Sequence, residues 1–232
     1  MSRERRFHVD ELTRETLRLP SEEAHHLIDV LRLGEGAEVS VFDGKGNAAR
    51  AQVHRIAGRK VELRILGPEP SRESRLALTL AVAPPKGDRM SFLVEKLTEL
   101  GVARLVPLET DRGRSRGNFE RWRRIAVESC KQSGRSRAPE IVPPLGFEQV
   151  LDEPGLVTAA HPGAPPLSPL PGTAAIVALI GPEGGWSEEE LALASSRGVT
   201  LFGLGPRTLR TETAAIAVAT LLQYLAGDLS GP

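Results

Sequence analysis

The residues best suited to chemistry lie in two short stretches of the last quarter of the chain. The first is Gly181-Pro182-Glu183-Gly184-Gly185. The second is Leu204-Gly205-Pro206-Arg207-Thr208-Leu209-Arg210-Thr211-Glu212-Thr213-Ala214. Glycines let a backbone take positive φ and come close to a ligand, and a proline stiffens the entry to such a loop. The first stretch is not a dinucleotide fingerprint, because GxGxxG is absent. Nor is it a Walker loop, because no Gly-Lys-Ser/Thr follows. On spacing alone it reads equally as a tight turn. The second sets backbone groups and the apolar Leu204 and Leu209 beside a cation, Arg210. By itself it reads equally as a good helix start, with Thr211 and Thr213 as natural N-caps.

Both stretches need elements to hold them. Apolar runs at 174–180 and 199–204 lead into the two loops, and helices begin at Ser187 and at Thr211 or Thr213. Strand, loop and helix, repeated within about fifty residues, is how open α/β proteins build a crevice at the carboxyl ends of their strands. Ala214, Ala215, Ala217 and Ala219 keep the second helix slim. Upstream, 76–83 is a continuous apolar run, as in a buried parallel strand. Residues 89–100 place Met90, Leu93, Val94 and Leu97 on one helical face and stop at Gly101. A strand at 104–108, a helix from Phe119 capped by Asn118, and short strands at 141–142 and 156–160 complete an alternating pattern. This is the pattern of an α/β domain with a largely parallel sheet.

Residues 1–70 differ. Short strands are expected at 5–9, 37–42, 48–56 and 61–66, with Asp43-Gly44-Lys45-Gly46-Asn47 as a hairpin turn. Ser21 caps a short helix through Arg32, with Leu27, Ile28 and Leu31 as its apolar stripe. The result is a small barrel. A proline-bearing polar segment follows, so the expected division is 1–70, a linker at 71–75, and 76–232.

Composition bounds the function. A chain of 232 residues with 40% hydrophobic and 26% charged residues is ordinary for a globular protein. No apolar run approaches the ~20 residues of a membrane span, and MSRERRFHVDE is no secretory signal. One cysteine, Cys130, cannot make an internal disulfide and reads as an inert thiol, so a cytoplasmic location is expected. His8, His25, His26, His54 and His161 lack zinc-site spacing, and no metal is expected. The zero net charge hides an asymmetry. From Ala138 onward ten acids face only Arg197, Arg207 and Arg210, so the basic surplus lies earlier. It is densest in 111–137, where Arg112, Arg114, Arg116 and Arg135 stand among nine basic residues. Arginines there can neutralise phosphates, although a charge run is as readily a solvated face. Arg6 and Arg32 extend the basic surface from the first domain.

Read together, Ile180 through Gly185 and Leu204 through Ala214 closely resemble the RsmE family. These are SPOUT-class methyltransferases that act on N3 of a uridine in small-subunit (16S) ribosomal RNA. Lys96-Leu97-Thr98-Glu99-Leu100-Gly101-Val102, Glu128 through Arg135 with Pro139, Val30-Leu31-Arg32 and Phe42-Asp43-Gly44 agree. Thr208 departs, standing where the pattern has a branched aliphatic. The resemblance covers nearly the whole chain. It implies a PUA-like barrel that helps hold RNA, a trefoil-knotted methyltransferase domain, bound S-adenosylmethionine, and a homodimer contacting near the 213–225 helix. The implied substrate is 16S rRNA, within the small ribosomal subunit. Expected cofactor contacts are Leu179, Ile180, Gly181, Glu183, Gly184, Leu204, Gly205, Leu209, Arg210 and Thr211. Methylation at N3 needs the ring proton removed or the anionic ring stabilised, so Glu183 and Arg210 are the catalytic candidates. Glu99 and Glu212 read as structural. The competing readings are a methyltransferase acting at another RNA position and a non-catalytic RNA-binding module.

Overall fold

The computed structural model describes residues 5–12, 15–85, 88–113, 117–168 and 172–231. Their contacts divide the chain into two units. One is Met1–Glu73 with Val127–Ala138, the other Ser74–Ala126 with Pro139–Pro232.

In the first unit, alternating apolar residues put one face of each strand into a common core. Strands β1 (Arg6–His8), β2 (Thr16–Arg18), β3 (Glu38–Phe42), β4 (Ala48–Ala57) and β5 (Lys60–Pro68) form one sheet in the order β1-β3-β4-β5-β2. Phe7, Leu27, Val41, Ala51, Val53 and Leu63 are buried in its core. Burial of such side chains is the main stabilising term, on the order of 2 kcal/mol each. The hairpin turn forms as expected. Asp43 accepts hydrogen bonds from the Lys45 and Asn47 amides at 2.8 and 3.1 Å, and Gly44 and Gly46 take positive φ.

The helix departs from expectation at both ends. Helix α1 (Ser21–His25) has Pro20, not Ser21, at its N-cap position, with no side-chain cap. Proline's fixed φ suits the entry, and Ser21 becomes the first helical residue. A wider π turn, His26–Val30, follows, and the chain leaves through Arg32 at φ 53°. Strand β2 was not expected. It is three residues long with a half-exposed leucine between exposed neighbours, too short for a period to register.

The polar segment after β5 is fastened to the first unit. Glu69 accepts from Arg6 at 3.1 Å and from the Ser40 hydroxyl at 2.8 Å. Glu73 accepts two bonds from Arg135, at 2.9 and 2.8 Å, and two more from the Ser136 and Arg137 amides. Residues 134–138 in turn pair with the hairpin, Gly46 N–H to Ser136 O and Ala138 N–H to Gly44 O. A single cut at 71–75 therefore does not describe the division, because a distant segment completes the first unit.

The second unit is a parallel sheet. Its strands are β6 (Ala77–Val82), β7 (Arg104–Glu109), β8 (Glu140–Ile141), β9 (Leu145–Gly146), β10 (Leu156–Ala160), β11 (Ala175–Ile180) and β12 (Thr200–Phe202). The order is β12-β10-β11-β6-β7-β8, with β9 on β7, and each pairing is parallel. The continuous apolar run in β6 and β11 is explained by burial on both faces. Helix α2 (Arg89–Glu99) buries Met90, Leu93, Val94 and Leu97, the expected face, and ends before Gly101 at φ 76°. Helix α3 (Phe119–Ser133) starts where the Arg121 amide bonds the Asn118 side chain. Helices α4 (Phe147–Leu151) and α5 (Glu188–Ser196) precede α6 (Thr211–Ala226). Inside α6, Gln223 is fully buried. Its amide donates to Gly101 O and accepts from Ser74 Oγ, which locks α6 to the end of α2.

Two outcomes follow for the first unit. Glu73→Ala leaves the buried Arg135 guanidinium without its carboxylate, and urea unfolding should show a loss of about 3 kcal/mol. Burial pushes the Cys130 thiol up to about 12. The thiol stays neutral in the folded state while the unfolded chain ionises above ~8.5, so its contribution is complete below that pH and is lost as pH rises toward 12. Comparing the stability of wild type and Cys130→Ala between pH 8 and 11 should reveal that decline, and native Cys130 should resist alkylation at neutral pH.

Candidate methyl-donor site

Because β6, β7, β10, β11 and β12 run parallel, the loops that follow them all leave from one edge of the sheet. The first glycine-rich loop follows β11. The Gly185 amide bonds Pro182 O at 2.9 Å, closing a turn, and Gly185 sits at φ 70°. Gly181 sits close against a side chain. A Cβ there would lie 3.0 Å from Trp186 Cε2, and Trp186 is buried, with its indole N–H on Ala160 O at 2.9 Å. Ser187 then caps α5 reciprocally with Glu190, each receiving the other's amide. Asp111, after β7, accepts from the Ser187 hydroxyl at 2.6 Å and donates its own amide to Glu190.

The second loop follows β12. The Gly203 amide bonds Pro165 O at 2.7 Å, and a Cβ at Gly203 would fall 2.3 Å from Ala164 O. Only glycine permits that approach. Gly205 takes φ 91°. Between this loop and residues 162–166 lies a cleft of about 580 Å³, lined by Pro162, Gly163, Ala164, Pro166, Gly203, Gly205, Pro206, Arg207 and Thr208. Its size suits a small organic ligand. Beside it, His161 Nδ1 is buried without a hydrogen-bond partner. Among the described residues no cluster of His, Cys, Asp and Glu is arranged to hold a metal ion.

The expected site residues divide clearly. Gly205 lines the cleft, while Leu204 and Leu209 are half-buried in the same loop. Gly181, Glu183 and Gly184 lie in the first loop and do not line that cleft. The loops meet where the Thr211 hydroxyl reaches Gly181 O at 3.5 Å. Leu179 and Ile180 are buried at the end of β11, Leu179 among core side chains. Thr211 and Thr213 are not N-caps. Arg210 holds that position with extended backbone, Thr211 is the first helical residue and Thr213 lies inside the helix. The exposed Arg210 side chain stands at the start of α6.

Of the arginines expected to meet RNA, Arg112 is exposed and also donates to Gly184 O, tying the start of the basic segment to the first loop. Arg32 is exposed. Arg6 and Arg135 are corrected: their side chains are 3% and 5% exposed and are paired with Glu69 and Glu73. A buried, hydrogen-bonded guanidinium is unavailable to a phosphate. Arg114 and Arg116 lie outside the described residues. Sequence reasoning missed Arg89, at the start of α2, whose Nη1 reaches both Glu183 and Glu212. Its signal was slight, one arginine among many at a helix start.

Comparison with known proteins agrees with this arrangement. A family model described as an RNA methyltransferase domain matches residues 72–223, and one described as an RNA methyltransferase PUA domain matches residues 19–66. A Synechocystis protein named ribosomal RNA small subunit methyltransferase E is 35% identical over 91% of this chain and 74% of its own length. The Bacillus subtilis protein of the same name is 30% identical over 93% of each chain. Among solved structures, a ribosomal RNA small subunit methyltransferase E from Neisseria gonorrhoeae bound to S-adenosyl methionine matches with a TM-score of 0.89. It is 34% identical, covering 97% of this chain and 99% of that one. A Legionella pneumophila protein solved in complex with the cofactor SAM gives 0.84 at 35% identity, covering 98% of this chain and 100% of that one. On matches that span both units, the chain belongs to the ribosomal RNA small subunit methyltransferase E family.

Proposed function

We propose that this protein transfers the methyl group of S-adenosylmethionine to N3 of a uridine in 16S ribosomal RNA. The observation that carries the reading is the end-to-end match to the Neisseria enzyme bound to S-adenosyl methionine. The cleft after β12 supports it, because Gly163, Gly203 and Gly205 in its lining let main chain come close to a ligand. The cofactor supplies an electrophilic methyl carbon. N3 attacks it in line as the carbon–sulfur bond breaks, the neutral thioether S-adenosylhomocysteine leaves, and the N3 proton passes to solvent. Alignment accounts for much of the rate. The Arg210 guanidinium, at the mouth of α6, stabilises the negative charge that develops on the uracil ring. Glu183 is assigned as the carboxylate beside the donor.

RNA phosphates meet Arg32 and Arg112 together with the basic segment around 111–124. The first unit, as a PUA-like module, contributes its own surface. A trefoil knot in the second unit is supported by the parallel order β12-β10-β11-β6 and by the packing of the C-terminal α6 on α2, β6 and β11. A homodimer is supported by α6, whose outward Leu221, Tyr224 and Leu225 are exposed on one helical face. Among the described residues no helix is long and apolar enough to cross a membrane. Action on ribosomal RNA fits the cytoplasm.

Nucleoside mass spectrometry of small subunits treated with the protein and labelled donor should yield 3-methyluridine. A label on a ribose or another base would move the substrate position. Arg210→Ala should slow single-turnover methylation about 100-fold at saturating RNA. An unchanged rate with weaker RNA binding would make Arg210 a phosphate contact instead.

A further inference from the structure

One side chain touches both loops of the proposed donor site. Arg89 opens α2, and its Nη1 lies 3.3 Å from Glu183 Oε1 and 3.4 Å from Glu212 Oε1. Glu183 belongs to the loop after β11, whereas Glu212 is the second residue of α6, just past the loop after β12. The two carboxylates are in different surroundings. The Glu212 side chain is 11% exposed and that of Glu183 is 61% exposed. Glu212 Oε2 is buried without a hydrogen-bond partner, which leaves the Arg89 contact at Oε1 to hold this side chain in place. That half of the pair is the anchor. The Glu183 half is an exposed ion pair, which adds little to stability but does fix direction.

We propose that Arg89 is a positioning residue for the methyl donor. Its guanidinium clips Glu183 of the first loop to Glu212 at the start of α6 and so sets the spacing of the two loops that receive the cofactor. The inference rests on the reading of these loops as the S-adenosylmethionine site. Geometry and charge make opposite predictions here. Two carboxylates without Arg89 would draw a sulfonium cation more strongly, so a purely electrostatic role predicts tighter binding when Arg89 is removed. A clip predicts weaker binding, because each loop is then free to settle separately.

Calorimetric titration of the full chain with S-adenosylmethionine distinguishes them. Arg89→Gln should raise Kd about tenfold, while single-turnover methylation at saturating donor stays within about threefold of wild type, the signature of lost ground-state positioning. Arg89→Lys, a flexible point charge in place of a planar fork, should recover only part of the affinity. Glu183→Gln alone should weaken binding about threefold and add nothing in the Arg89→Gln background, since the pair acts as one unit. Equal or tighter binding by Arg89→Gln, or additive losses in the double variant, would overturn the clip. If Arg89→Gln does not fold, Arg89→Lys is combined with Glu183→Gln: losses in Kd that do not add support the clip, and additive losses or an unchanged Kd for Glu183→Gln reject it. Absence of binding by the wild type would instead overturn the cofactor reading, and this inference with it.

Discussion

Parallel strand pairing is the constraint on which the second unit depends. It sends the chain out of β6, β7, β10, β11 and β12 at one edge, so five segments far apart in sequence converge there. The two glycine-rich loops are therefore only part of the site. Arg89 arrives after β6, Asp111 and Arg112 after β7, and His161 with its proline-rich neighbours after β10. Close approach is permitted by glycine at two places, Gly181 against Trp186 and Gly203 against Ala164 O. Elsewhere the loops are held by side chains bonding main chain, as at Ser187 with Glu190.

Much of this was legible in the sequence where a single physical rule dominates. Burial on both faces wrote continuous apolar runs into β6 and β11, and burial on one face wrote the 3.6-residue stripe of α2. Asn118 and Ser187 announced helix starts because their side chains satisfy amides that the helix leaves open. Strand β2 stayed hidden because three residues carry too little pattern. The start of α6 was left between Thr211 and Thr213 and falls at Thr211, where Arg210 fills the cap position without any side-chain cap.

Charged residues were the least legible, because a charge says nothing about its partner. Arg6, Arg112 and Arg135 look alike in sequence, yet two are buried against glutamates and one hangs on a loop carbonyl. The acids that decide this, Glu69 and Glu73, sit in a stretch whose prolines and polar residues imitate a free linker. Family resemblance supplied what no local rule contained, the nature of the ligand. The roles of individual side chains came from distances and burial.

The joining of Val127–Ala138 to the first unit also has a consequence for how the chain is made. Although the barrel strands are finished by Pro68, Glu73 waits for Arg135 and the hairpin waits for Ser136 and Ala138. On the ribosome, at ~5–20 residues per second, that wait lasts on the order of several seconds. During it Glu73 lacks its partners, with β6, α2 and β7 already emerging. The first unit therefore reaches its full set of bonds only after β6, α2 and β7 of the second have been made.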